Sequence, residues 1–279
     1  MKDVNFLTFD IEEWFHANYK GIEGLQFCAK DTNLERNVDI LIGMCARYNT
    51  QATCFILGDV AEQKPQIVKK LHSAGHEVAS HGSSHKIIST MSSKEFEEDL
   101  YKSVDTLEQI TGEKVLGFRA PSWSVNATSL EWFYGVLSKQ GLRYSSSVFP
   151  AKHPMFGIAN FPKEPSYPNK YGIMEIPQAI TDIIGFKSGY AGGAFLRLFP
   201  NWFIKRNIDN ANRKNRPVFL YLHPREIDAD EKRLELSLID KFFHYYGVSG
   251  CQNKFEDLLA QYSDTFMRMD AFEAMYRTS

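Results

Sequence analysis

The chain has 279 residues, 43% of them hydrophobic and 24% charged, with a formal net charge of -2. That balance suits an ordinary globular protein, and the missing basic excess argues against nucleic acid as a partner. No apolar run approaches the roughly 18 residues of a membrane span, and a length near that of single α/β barrels predicts one unit over 1–279.

The first apolar run, VNFLTF, reads as a buried strand, and FDIEEWFH follows it at once. NLERNVDILIGMCARYN then places Leu34, Val38, Leu41, Ile42 and Cys45 on one helical face. QATCFIL is a short strand, and Asp59 to Ala74 is expected to be helical, with Pro65 at the start of a helical turn and Gly75 as a C-terminal cap. HEVAS is the next strand. The helix of SSKEFEEDLYKSVDTLEQITG is bounded by a Ser92/Glu95 capping box and by Gly112. KVLGF is a strand again, Thr128 and Glu131 predict a second capping box, Gly141 stops that helix, and LRYSSS extends.

Such alternation means parallel pairing with right-handed crossovers, in a barrel or a doubly wound sheet. Between Val148 and Pro177 the rhythm fails, and Pro150, Pro154, Pro162, Pro165, Pro168 and Pro177 predict an irregular surface excursion. A helix near Trp202 to Ala211 and the strand PVFLYL resume it. The four cysteines, Cys28, Cys45, Cys54 and Cys251, have no CxxC spacing. Cys45 and Cys54 lie in apolar patterns, as reduced thiols do. With the first strand starting at about the fourth residue, no room is left for a leader, and a reducing, cytoplasmic setting is expected.

Every chemically loaded stretch lies just past the end of an expected strand: DIEE, HGSSH, RAPSW and HPRE. In parallel α/β folds that edge is where loops converge on a site. His81 and His85 have the i, i+4 spacing of two imidazoles reaching one ion from a single helical turn; two satisfied structural histidines are the plainer reading. Asp10 and Glu12 share a strand face with Thr8, while Leu7, Phe9 and Ile11 point the other way; the alternative is a solvated acidic turn. Arg119 beside such carboxylates would orient and ionise one of them, or form a structural ion pair. His223 is a candidate acid or a residue of the turn. Pro121, Trp123 and Tyr190 lie where a sugar ring could be received, although core packing explains such residues more often. Gly192 and Gly193 allow close approach of a ligand or make a turn.

With these stretches together, FDIE, HGSSH, RAP and LHP, the chain resembles the polysaccharide deacetylase family, the NodB-homology or carbohydrate esterase family 4 enzymes. TFDIEEWFH, FRAPSWS, AGGAFLRLFP and YLHPREID further resemble a subgroup associated with exopolysaccharide and exosortase loci, whose members carry a C-terminal extension. The resemblance implies a distorted (β/α) barrel with about seven parallel strands and a divalent metal, usually zinc. It implies removal of acetyl groups from the amino sugars of a bacterial polysaccharide or its precursor. By motif, Asp10 is the base, His81 and His85 are metal ligands, Arg119 orients Asp10 and His223 is the acid. Many members have two adjacent aspartates in the first motif, whereas here Ile11 follows Asp10. The third ligand is then Glu12 or Glu13, and strand alternation favours Glu12. A membrane polysaccharide-synthesis complex is a candidate partner. Other readings of the same residues are a small-molecule amidohydrolase, a glycosidase using Asp10 and Glu12, and a sugar-binding member without catalysis.

Overall fold

The computed structural model describes residues 4–16, 32–152, 157–231 and 233–278; Cys28 and Pro154 lie outside them. Strands β1 (Asn5–Ile11), β2 (Thr53–Ile56), β3 (Glu77–Ser80), β4 (Gly117–Phe118), β5 (Tyr144–Ser145) and β6 (Met174–Glu175) lie side by side in chain order. β7 (Ile180–Ile183) and β8 (Phe186–Gly189) form a separate antiparallel hairpin. β9 (Phe219–Leu222) returns to pair with β1, and β10 (Phe266–Met267) pairs with Asn5 and Phe6 at its start. Every ladder of the large sheet is parallel, so the order β9-β1-β2-β3-β4-β5-β6 makes a wall of seven parallel strands. Gly192 extends it by a parallel bridge to Tyr221, and among the described residues no ladder joins β6 to that segment. The result is the expected distorted (β/α) barrel, and the structure adds that it is incompletely closed.

Alternation along β1 sorts its side chains into two cores. Leu7, Phe9 and Ile11 pack against the helix layer, with Leu34, Val38, Leu41 and Cys45 of the first helix, Leu34–Arg47. Phe6 instead joins Phe55, Ala79, Tyr144 and Phe219 inside the barrel. Thr8 and Asp10 share that inner face. Where the next strand comes close, glycine is required: a Cβ on Gly192 would lie 2.1 Å from the Tyr221 ring, so Gly192 and Gly193 serve the approach of this segment to β9. Cys45, Cys54 and Cys251 are buried free thiols, and burial pushes the Cys45 thiol up to about 12.

Two local expectations are corrected. The helix expected from Asp59 to Ala74 is two, Gly58–Gln63 and Pro65–Ser73, because Pro65 lacks the N–H that would continue the first and instead begins the second. Thr128 does not cap the helix Leu130–Lys139; the Asn126 side chain accepts the N–H groups of both Thr128 and Ser129 and starts the turn. The Ser92/Glu95 capping box and the left-handed Gly112 cap of Ser93–Thr111 form as read. Among the described residues no helix is long and apolar enough to cross a membrane.

Candidate active site

The carboxyl ends of β1, β3, β4 and β9 deliver the four motifs to one cavity of about 860 Å³. Asp10 is the inward residue at the end of β1. Its Oδ1 accepts a 2.6 Å bond from Arg119 Nη1, which also donates to Thr8 Oγ1 at 2.9 Å, while Nη2 donates to Ser146 Oγ. The guanidinium is fully buried, with the Phe55 and Trp123 rings 4.1 and 4.7 Å from its centre. A cation so enclosed fixes the direction of its partner carboxylate.

Glu12, one residue past β1, continues the alternation and faces the histidines. Its Oε2 lies 2.8 Å from His85 Nε2 and 3.7 Å from His81 Nε2. Burial pushes its carboxyl up, but His85, His223 and His81 together hold it well below the usual carboxylate range. Glu13 points elsewhere: its Oε1 accepts from Lys64 Nζ at 2.6 Å and Thr32 Oγ1 at 2.8 Å.

One ligand atom from each of Glu12, His81 and His85 falls within 4.8 Å of the others. His81 Nδ1 lies 2.8 Å from the Arg119 carbonyl oxygen, which can only accept, so the ring proton sits on Nδ1 and the Nε2 lone pair faces Glu12. Burial pushes His81 down to about 4, which keeps the ring neutral. A lone pair and a carboxylate facing one another out of water repel unless a cation stands between them, and two imidazoles with one carboxylate are a donor set for a divalent ion with positions left open. The residues fit a metal.

The histidines do not share a helical turn. Gly82, at φ 80°, turns the chain away from β3, Asp99 accepts from the Ser83 N–H and the Ser84 hydroxyl, and His85 itself has φ 56°. A loop tied to the helix Ser93–Thr111 thus makes the i, i+4 approach. His16 accepts the Glu13 N–H at Nδ1, which leaves its proton on Nε2, and its ring lies 6.0 Å from that of His85.

His223 follows β9, with Nε2 3.9 Å from Asp10 Oδ2 and 3.7 Å from Glu12 Oε1. Its Nδ1 is 3.4 Å from Glu226 Oε2, which also accepts the His223 backbone N–H at 3.1 Å. Burial works against the imidazolium, but Glu226, Glu12 and Asp10 raise it to about 9. Glu226 is in turn bonded by Arg197 Nε at 3.1 Å. Neither Glu226 nor Arg197 was singled out in the sequence. The i, i+3 spacing of His223 and Glu226 in HPRE was a visible signal; Arg197, 26 positions before His223, left none.

Trp123 lines the cavity and stacks on Phe219, 5.3 Å between centroids. Pro121 and Tyr190 do not line it. Pro121 is buried at the start of the turn Pro121–Trp123, whose residues Ser122 and Trp123 reach the cavity, and Tyr190, 2% exposed, packs into the core facing the helices.

Residues 2–144 match the polysaccharide deacetylase family model, and residues 146–273 match a domain of unknown function (DUF3473). A peptidoglycan deacetylase of Helicobacter pylori is 32% identical over 114 residues, 41% of this chain and 38% of that protein, so the match spans well under half of its relative. Two solved structures share the fold across 99% of the chain. One is a Mycobacterium smegmatis protein assigned as a polysaccharide deacetylase, at 18% identity and TM-score 0.64 with 91% of it covered. The other is the allantoinase PuuE, at 15% identity and TM-score 0.66 with 90% covered. With a family model spanning the strands and loops that carry Asp10, Glu12, His81, His85 and Arg119, the chain belongs to the polysaccharide deacetylase family.

Proposed function

We propose that the protein is a metal-dependent hydrolase, acting as one unit over 1–279, that removes acetyl groups from N-acetylated amino sugars of a bacterial polysaccharide or its precursor. The observation that carries this is the meeting of Glu12, His81 and His85 beside the Asp10–Arg119 pair and across from His223 in one cavity. The relative described as a peptidoglycan deacetylase supports the same class of substrate.

Glu12, His81 and His85 would hold the metal, zinc in most of the family. When bound, such an ion polarises an acetyl carbonyl and lowers the pKa of a water from ~15.7 to about 7. Asp10, aimed by Arg119, accepts the proton of the attacking water. His223, protonated at neutral pH, donates its Nε2 proton to the departing amine nitrogen. Trp123 closes the inner wall and keeps the Arg119 guanidinium dry.

The purified protein should contain about one divalent ion per chain and release acetate from N-acetylated oligosaccharides, with a chelator abolishing release. New reducing ends without acetate would make it a glycosidase instead. Glu12→Gln should lose both metal and acetate release while Glu13→Gln keeps most of both, because Glu13 is occupied by Lys64. The reverse pattern would move the ligand to Glu13.

The acid role fixes a pH dependence. His223 is charged below its raised pKa and loses its proton as pH passes about 9, so activity falls on that limb. Glu226→Gln removes a carboxylate that favours the imidazolium and should move the alkaline limb of kcat/KM to lower pH. A limb that stays in place in the pH–rate profile removes His223 from the acid role.

A further inference from the structure

On the cavity wall the protein itself occupies Asp10 with Arg119, Glu226 with Arg197 and Arg225 with Glu231. Gln178 is different. It lines the same cavity and is only 4% exposed, yet its side-chain amide makes no hydrogen bond among the described residues. An amide taken out of water without a partner costs free energy, and Leu or Met would fill a purely structural position without that cost.

The place of this amide is fixed from two sides. The Gln178 N–H donates to the Val148 carbonyl oxygen at 3.0 Å and the Ile176 N–H to that of Ser145 at 2.8 Å, so the chain here is bound to the serine loop whose Ser146 accepts from Arg119. Gly189, at the end of β8, makes room on the other side. A Cβ there would lie 3.0 Å from Gln178 Nε2 and 2.9 Å from the ring of Phe195, which also lines the cavity. The space that a larger residue would take is left to the amide and that ring.

Resting on the deacetylase reading, we propose that Gln178 is a substrate-recognition residue whose amide hydrogen-bonds a ring hydroxyl of the sugar being deacetylated. A hydroxyl can answer either end of the amide, donating to Oε1 or accepting from Nε2. In that reading the acetyl carbonyl belongs to the metal and the departing nitrogen to His223, which leaves the hydroxyls as the polar groups for a further contact. A site built around such a bond rejects a sugar that lacks the hydroxyl, because the buried amide is then left unpaired.

The test measures kcat/KM for acetate release from the β-1,4-linked tetrasaccharide of N-acetylglucosamine and from its counterparts lacking every 3-hydroxyl or every 6-hydroxyl. Loss of the contacted hydroxyl should lower the wild-type value about 10- to 100-fold. Gln178→Met, which keeps the length of the side chain, should fall by a similar factor on the full substrate, retain its metal and no longer distinguish the two substrates. Wild-type indifference to both hydroxyls overturns the proposal. So does a Gln178→Met variant that keeps its full rate, or one that is slower yet discriminates as the wild type does, the pattern of a packing role. No acetate from any wild-type reaction defeats the deacetylase reading and this contact with it.

Discussion

Asp10→Asn is expected to keep its metal and lose turnover by about 100- to 10,000-fold, the usual worth of a positioned base. The amide preserves the shape and an acceptor for the Arg119 bond, but at neutral pH it cannot take a proton from water. Its effect should fall on kcat, with metal content by elemental analysis near that of the wild type. Near-normal turnover would assign the base elsewhere. Loss of metal would mean that Asp10 is a ligand, although its Oδ1 is engaged by Arg119 and its Oδ2 points toward His223.

His81→Ala and His85→Ala should behave in the opposite way, losing metal and activity together. Each removes one of three donors that lie within 4.8 Å of one another. The affinity lost should exceed the roughly 10–100-fold typical when an outer hydrogen-bond partner of a ligand is removed. Excess zinc should then partly restore acetate release, which it cannot do for Asp10→Asn. Unchanged metal content in both variants would leave the pair a structural feature of the loop.

What could be read from the sequence divides along local and distant interactions. Alternation through Thr8, Asp10 and Glu12 is a property of an extended backbone, and it put two carboxylates on one face before any contact was known. That Glu13 is taken by Lys64, 51 residues on, depends on tertiary packing and has no sequence signature. The spacing of His81 and His85 fits a helical turn equally well, and the bonds to Asp99 that make it a loop come from a distant helix. Thr128 fell to local competition: Asn126, two residues earlier, accepts the N–H and hydroxyl of Thr128 itself and the N–H of Ser129, so the Thr128 side chain is a donor in that turn and not a cap.

The pairing of β9 with β1 limits how this protein can be cut. Residues 2–144, the stretch matched by the deacetylase model, would as a fragment leave one edge of β1 bare over Phe6 to Phe9, with Leu7 and Phe9 beside unpaired backbone groups. An edge of that kind recruits other strands, so the fragment should aggregate rather than act as a weaker enzyme. Even soluble, it would carry Glu12, His81 and His85 but lack His223, the proposed acid, which arrives on the strand that covers that edge.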